Sequence, residues 1–497
     1  MMEKYVLGID LGTSAVKVSC LDQLGRIIDQ EIEDYPVYNP AEGFSEQNPN
    51  DWVHATLAAI KKIMSKLKDL VKIDGISFSG QMHSLVILDK NKQIIRPSIL
   101  WNDGRTANEA DYINKNFGKE IVEITGNKAT AGFTLPKLLW LQENEPDNFA
   151  KIRYFMMPKD YVRYKMTGKI NMDYSDATGT IILDIAQNRW SNKILNFFNI
   201  PKYCCPTLVN STDFVGFPLQ EVCEQTGLNK DAKIFAGGGD NAVAAIGSGI
   251  LNSQNLLCSI GTSGVVLADE QNPHTPYEGT LQMEHHAVAH HFYSMGVTLA
   301  AGESLSWFKD TFFPEKSFND LLLMAQNSNL GANKLFFTPY INGERTPYSD
   351  SYIRGSFTGI SKILTKNDFC RAVIEGITYS LRDLISIYEQ NNKTIEKIVC
   401  IGGGAKSKFW LKLQADVFGK KIISLKNEQG PGIGAAMIAA MGCQWFKNWE
   451  SCINLFVRYN DIIVPDQHNF VLYNKYYNLY QKIYSSTAPL ARAAAEL

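Results

Sequence analysis

Val6-Leu7-Gly8-Ile9-Asp10-Leu11-Gly12-Thr13-Ser14-Ala15-Val16-Lys17-Val18-Ser19-Cys20-Leu21 opens the chain with two short strand patterns around a glycine turn. The apolar run Val6 to Ile9 and the alternation from Val16 to Leu21 predict a hairpin, with Gly12-Thr13-Ser14 at its tip. Half the chain later Leu256-Leu257-Cys258-Ser259-Ile260 leads into Gly261-Thr262-Ser263-Gly264 and then Val265-Val266-Leu267-Ala268, the same strand, turn and strand. A repeat on that scale predicts two similar halves whose equivalent turns converge on one ligand. The apolar runs before the two triplets match in length, which favours a repeat over a recurring Gly-Thr-Ser turn.

Outward from these hairpins the pattern alternates between helix and strand. Trp52 to Leu70, Lys137 to Glu143 and Lys159 to Met166 have helical period, and Ile73 to Ser79 reads as a strand. In the second half Thr365 to Gln390 is a long amphipathic helix, and Lys397 to Ile401 a buried strand ending in Gly402-Gly403-Gly404. Val471 to Tyr484 carries tyrosines at helical spacing and predicts a closing helix. Such mixing predicts α/β layers. A chain of 497 residues exceeds one ordinary core, so two domains are expected. They are placed at residues 1–249 and 250–484, divided where Gly, Ser and Asn cluster between Gly247 and Ser253. Residues 485–497, from Ser485-Ser486-Thr487-Ala488-Pro489 onward, read as a flexible tail.

The 49 Lys plus Arg against 51 Asp plus Glu leave no basic surplus for nucleic acid, and point to a small-molecule partner. No apolar stretch reaches the ~18 residues of a membrane span, and the start lacks a secretory pattern, so a cytoplasmic protein is expected. A homodimer is compatible with this composition. Nine scattered cysteines without a CxxC pair predict reduced, mostly buried thiols.

Glycine turns aim backbone N–H groups at phosphate oxygens because a residue without Cβ tolerates close approach. Gly12-Thr13-Ser14 and Gly261-Thr262-Ser263-Gly264 are two such turns, with hydroxyl donors from Thr13, Ser14 and Thr262 and a charge from Lys17. The GxxxxGK[ST] pattern of a P-loop is missing from both. Gly237-Gly238-Gly239-Asp240-Asn241 sets a carboxylate after a turn that follows the strand Lys233 to Ala236. Asp240 there is either a helix N-cap or a base that accepts a hydroxyl proton in phosphoryl transfer. Asp10 faces the first turn and would hold magnesium through water, or else stabilise that turn.

Gly402-Gly403-Gly404-Ala405 suits a flat base lying on bare backbone, or a tightly packed strand-to-helix turn. Ser79-Gly80-Gln81-Met82-His83 and Trp101-Asn102-Asp103-Gly104-Arg105 gather amide, imidazole, carboxylate and indole groups of the kind a polyol needs. His285, His286, His290 and His291 read as a hairpin with outward histidines rather than a metal site, since no Cys or carboxylate completes a zinc spacing.

Taken together, Gly8-Ile9-Asp10-Leu11-Gly12-Thr13-Ser14, Gly80-Gln81-Met82-His83, Trp101-Asn102-Asp103-Gly104-Arg105 and Gly239-Asp240-Asn241 resemble the FGGY carbohydrate kinases. So do Gly132-Phe133-Thr134-Leu135-Pro136-Lys137-Leu138-Leu139-Trp140-Leu141, and Gly355-Ser356-Phe357-Thr358-Gly359-Ile360 running on to Ala372, Glu375 and Gly376. The resemblance spans Tyr5 to Gly442 in order. It implies two actin-like, ribonuclease-H-like domains with ATP and sugar in the cleft between them, and ATP with Mg2+ as the phosphoryl donor. It further implies Asp240 as general base, Asp10 as the magnesium-side carboxylate, and Thr13 and Lys17 on phosphate. Thr262, Gly302, Gly403 and Gly404 would hold the nucleotide, with Gly261, Ala405 and Lys408 beside them. Met82, His83 and Asn241 would hold the sugar, with Gln81, Trp101, Asn102 and Asp103 around it.

The Gln-Met-His and Trp-Asn-Asp-Gly-Arg segments are similar to the xylulokinase branch rather than to glycerol kinases. The implied substrate is therefore D-xylulose, attacking through its 5-hydroxyl. Ser84 stands where many of that branch carry Gly, and Lys408 where related kinases often carry Asn. Other readings are a kinase for ribulose, another ketose or a polyol on the same scaffold, and an actin-like or chaperone-like ATPase. Asn241 beside Asp240 and the polyol motifs weigh against the last.

Overall fold

A computed structural model describes residues 3–67, 71–274, 276–426 and 430–497. The chain forms two compact units, Met1–Gly249 with Glu270–Tyr293 and Gln429–Arg458, and Ile250–Asp269 with Ser294–Glu428 and Tyr459–Leu497. The first change of unit falls at Gly249, and the chain then returns twice to the first unit.

In the first unit the strand Glu3–Leu11 pairs antiparallel with Ala15–Asp22 and parallel with Val71–Gly80, which pairs in turn with Lys233–Phe235. The central strands carry β-branched and aromatic residues on both faces, as strands covered on both sides must. Leu7, Ile9, Val18, Ile76 and Phe78 are fully or almost fully buried, with Trp52 and Ile60 of the helix Pro49–Leu67 packed over them. The helix expected over Trp52 to Leu70 is thus present as far as Leu67, its last three residues lying outside those described. Gly430–Gly442, a helix of almost uniformly small and apolar residues, covers this sheet and the helix Asp240–Gly247 from a segment nearly two hundred residues further along the chain.

The second unit repeats the order. Asn255–Ile260 pairs antiparallel with Gly264–Glu270 and parallel with Lys397–Gly402, which pairs with Lys421–Ser424. The repeated hairpin read from the sequence is therefore real, down to its place as the middle of each sheet. Lys366–Gln390 is the long amphipathic helix, closed at its start by a Thr365/Asp368 capping box and buried along Val373, Ile377, Leu381 and Leu384.

The expected flexible tail is instead helix, since Gln467–Ala495 runs unbroken past Tyr484. Ala488 is buried with Tyr340 and Ile353, Tyr484 stacks on Tyr348 at 3.7 Å, and its hydroxyl donates to Asp350 at 3.0 Å. Alanine propensity carries the rest, and Pro489 leaves only the water-facing Ser485 carbonyl without its helix donor. Among the described residues no helix is long and apolar enough to cross a membrane.

Candidate active site

Three neighbouring strand ends meet in the first unit. Asp10 stands opposite Lys17 on one side and Ser79 on the other, while Gly238 and Gly239 pair with Ser79 and Gly80. Side chains at i of adjacent strands lie within reach of one another. This register therefore brings Asp10, Lys17, Gln81-Met82-His83 and Asp240 to one sheet edge.

The first turn is held from outside. Gly12 N–H donates to the Ala15 carbonyl at 3.0 Å, and Tyr35 donates through its N–H to Ser14 at 3.1 Å and through its hydroxyl to Gly12 at 2.5 Å. Gln47 Nε2 donates to the Thr13 carbonyl at 2.7 Å, and Trp101 Nε1 to Thr13 Oγ1 at 3.0 Å. With its carbonyls turned to these donors, the turn leaves the N–H groups of Thr13 and Ser14 without an acceptor among the described residues, the arrangement an anion needs. Gln47 also accepts from Trp52 and from Gln81, both at 3.1 Å, so one amide ties the turn to the Gln81-Met82-His83 segment. The sequence reading missed Gln47 and Tyr35, because nothing local marks a residue whose partners are dozens of positions away.

Asp240 starts the helix Asp240–Gly247 after Gly237, whose φ of +79° and whose absent Cβ, 2.3 Å from the Phe78 carbonyl, require glycine. It is not the N-cap, which is Gly239. Removal from water, and then the Asp10 carboxylate, push the Asp240 carboxyl up to about 7. The Asn241 N–H at 2.7 Å opposes that shift, and Asn241 Nδ2 donates to the same Oδ1 at 3.0 Å. Burial also raises the Asp10 carboxyl, against Lys17 and the Ser79 hydroxyl. A carboxyl poised near neutrality beside a phosphate turn is suited to accept a hydroxyl proton.

In the Gln81-Met82-His83 segment Met82 is buried, its Sδ 3.6 Å from the Tyr293 hydroxyl and 3.9 Å from Asn241 Nδ2. His83 adopts φ +64°, and its Nδ1 lies 2.9 Å from the Gly179 carbonyl with the ring edge-on to Phe133. Thr134 Oγ1 and Lys137 Nζ, each at 3.1 Å, donate to the His83 carbonyl. Burial lowers the Lys137 amine to about 7. Trp101 and Asn102 are exposed, whereas Asp103 is not open to a ligand. Its carboxylate accepts Ser45 N–H at 2.6 Å and Arg105 Nε and Nη2 at 2.8 and 2.7 Å, so it fastens the loop that presents Trp101. Ser84 likewise holds the Trp101 N–H at 3.0 Å.

The four histidines do not all point outward. His285 and His286 are buried, His290 is exposed and His291 half-buried, because the strand Gln282–His285 ends inside and the His286 ring takes the Val288 N–H at 3.1 Å. Burial pushes His285 down to about 4. With Tyr174, Asn210 and Ser211, the inward pair and His290 line a cavity of about 280 Å³.

In the second unit the turn is held by backbone. Gly261 N–H donates to Ser263 at 3.0 Å, and the first two N–H groups of the helix Gly302–Phe312 donate to Gly261 and Thr262 at 2.8 and 3.1 Å. A Cβ on Gly302 would lie 2.3 Å from the Gly261 carbonyl. Gly402 continues beside Ile260 with φ +79°, and Gly403–Ala405 forms a short helical turn next to it. Thr262, Gly302, Gly403, Gly404 and Ala405 thus gather at one end of this sheet. Lys408 is exposed one helix start further on, at the head of Lys408–Phe418.

The N-terminal domain of the FGGY family of carbohydrate kinases matches residues 5–247, and the C-terminal domain of that family matches residues 256–443. Xylulose kinase of Bacillus subtilis (strain 168) is 47% identical over 491 residues, covering 99% of this chain and 98% of the relative. Among solved structures, ligand-bound xylulose kinase from Lactobacillus acidophilus has a TM-score of 0.94 at 28% identity, with 98% of each chain covered. Gluconate kinase from the same organism has a TM-score of 0.93 at 28% identity, again with 98% of each covered. With its two phosphate-type turns, its carboxyl poised near neutrality and both family domains in order, the chain belongs to the FGGY carbohydrate kinases and is a phosphotransferase that uses ATP.

Proposed function

We propose that this kinase phosphorylates D-xylulose on its 5-hydroxyl, with Asp240 as general base. The observation that carries this reading is the Asp240 carboxyl, raised to about 7 beside Asp10 and one residue from Asn241. Asn241 occupies Oδ1 through both its N–H groups, which leaves Oδ2 to take the hydroxyl proton. As the bond from the sugar oxygen to the γ-phosphorus forms, the bridging β–γ bond breaks and the proton passes to Asp240. Gln81, Met82, His83, Trp101 and Asn241 surround the sugar, and Asp103 acts through the loop it fastens.

Thr13, Ser14 and Lys17 meet the transferring phosphoryl group, and Gly261, Thr262, Gly302, Gly403, Gly404 and Ala405 hold the nucleotide, with Lys408 at its edge. Asp10 fits a magnesium site of the kind completed by phosphates and water, because its carboxyl lies at the strand end before the turn with the Lys17 charge opposite. Magnesium bound there supplies charge neutralisation for the phosphates. The likeness to the xylulose kinase of Bacillus subtilis, over 99% of this chain, supports xylulose as acceptor.

ADP release measured with D-xylulose, D-ribulose, D-gluconate and glycerol tests the acceptor. D-xylulose is expected to give the highest kcat/KM, and a tenfold preference for another acceptor would overturn the assignment. Asp240→Asn tests the base, with an expected loss of about 10³-fold in kcat while ATP still binds. Turnover within tenfold of wild type rules the assignment out.

A further inference from the structure

Behind the Gly237-Gly238-Gly239-Asp240 turn lies a charged cluster that no step above uses. Lys159, Asp160, Arg163, Asp173 and Asp176 are all fully or almost fully buried. Lys159 Nζ sits 2.7 Å from Asp160 and 2.9 Å from Asp176 and also contacts Asp173. Arg163 pairs with Asp160 at 3.0 Å and takes the Asn171 carbonyl at 2.6 Å. The three carboxylates offer oxygens within 4.8 Å of one another, a spacing a divalent cation would accept, but the Lys159 ammonium already fills that role. Burial opposes the Lys159 charge, and the three carboxylates outweigh it.

The cluster reaches the Asp240 turn at two points. Arg163 Nη1 donates to the Ala236 carbonyl, just before the turn. Ser175 Oγ accepts the Gly239 N–H at 2.9 Å, just before Asp240, and donates its own proton to Asp173. Asp173 in turn caps the short helix Tyr174–Thr178 through the Ser175 N–H at 2.9 Å, which fixes where that hydroxyl stands. The turn carrying Asp240 is therefore gripped on a carbonyl at one end and on an N–H at the other, and both grips run back to Lys159 and Asp160. Buried ion pairs are costly to desolvate and are weak evidence for stability alone, but a side chain held by several partners at once has its geometry fixed.

We propose that Lys159, Arg163, Asp173 and Ser175 are positioning residues that set the place and dryness of the Asp240 carboxyl for proton transfer. This rests on Asp240 being the base. The groups facing Asp240 are Asp10, Asn241 and Tyr293, none of which belongs to the cluster. A loosened turn moves the Asp240 carboxyl out of the place that the Gly239 N–H and the Ala236 carbonyl set for it.

Ser175→Ala removes one oxygen and frees the Gly239 N–H; Arg163→Lys keeps the charge and loses the fork. Each is expected to lower kcat by about tenfold with KM for sugar and ATP within about threefold. Loss of stability without displacement would lower the amount of folded enzyme and leave kcat per folded active site unmoved. If Arg163→Lys does not fold, Ser175→Ala decides. Should Ser175→Ala keep kcat within twofold while Asp240→Asn is inactive, the positioning role is wrong and the base assignment stands. An active Asp240→Asn would instead remove the base assignment and this inference with it.

Discussion

Two residues before its turn glycine, the first hairpin carries Asp10 with Lys17 opposite; at the same place the second carries Ser259 with Val265 opposite. The strand order around both is the same, one antiparallel neighbour and two parallel ones. What holds the turns differs as well. Side chains of Tyr35, Gln47 and Trp101 grip the first, whereas the N–H groups of residues 302 and 303 grip the second. One scaffold thus serves twice, once with titratable groups where charge moves and once as a neutral backbone cradle. Electrostatic stabilisation demands charges at the reacting centre, while a bound nucleotide needs only shape and amide donors.

The sharpest way to break that comparison is to remove the polar side chain at the matching position of each hairpin. Asp10→Asn is expected to lower kcat by about 10²-fold and Ser259→Ala by less than twofold; steady-state rates with equal losses would make the turns chemically equivalent. Next is the cradle. Gly302→Ala places a methyl group 2.3 Å from the Gly261 carbonyl, so KM for ATP should rise about tenfold with KM for sugar unchanged. Equal rises in both would tie the second turn to the acceptor.

The third contrast concerns pH. Burial and Asp10 raise the folded Asp240 carboxyl from its ordinary 3.8 to about 7, so the stability it contributes is full below 3.8 and is lost as pH rises from there through 7. Asp240→Asn should therefore melt a few degrees above wild type at pH 8, with the gap smaller at pH 5 and closed below 3.8, as calorimetry across that range would show. The smallest effect is expected at the far end of the second unit. Truncation after Tyr484 removes Ala488 from its cluster and Arg492 from Asp350, which should cost that unit about 1 kcal/mol and leave kcat unchanged.

Much of this was legible in the order of residues. The two hairpins, the strand before Gly237 and the long helix ending at Gln390 rest on local periodicity, and Asp240 and Asp10 stand out because glycines and strand ends flank them. The roles of Asp103 and His285 were not legible, since Ser45 and Arg105 in one case and burial in the other decide them.

By itself the sequence determined the repeated hairpin, the glycine turns and the carboxylate that follows one of them, because backbone freedom and alternation act between near neighbours. Only the tertiary structure decided that Gln47 joins the first turn to Gln81, that residues 430–442 cover the first sheet, and that Lys159 and Arg163 stand behind Asp240. Those pairings join positions tens to hundreds of residues apart. Strand register and burial set them, and no local pattern encodes either.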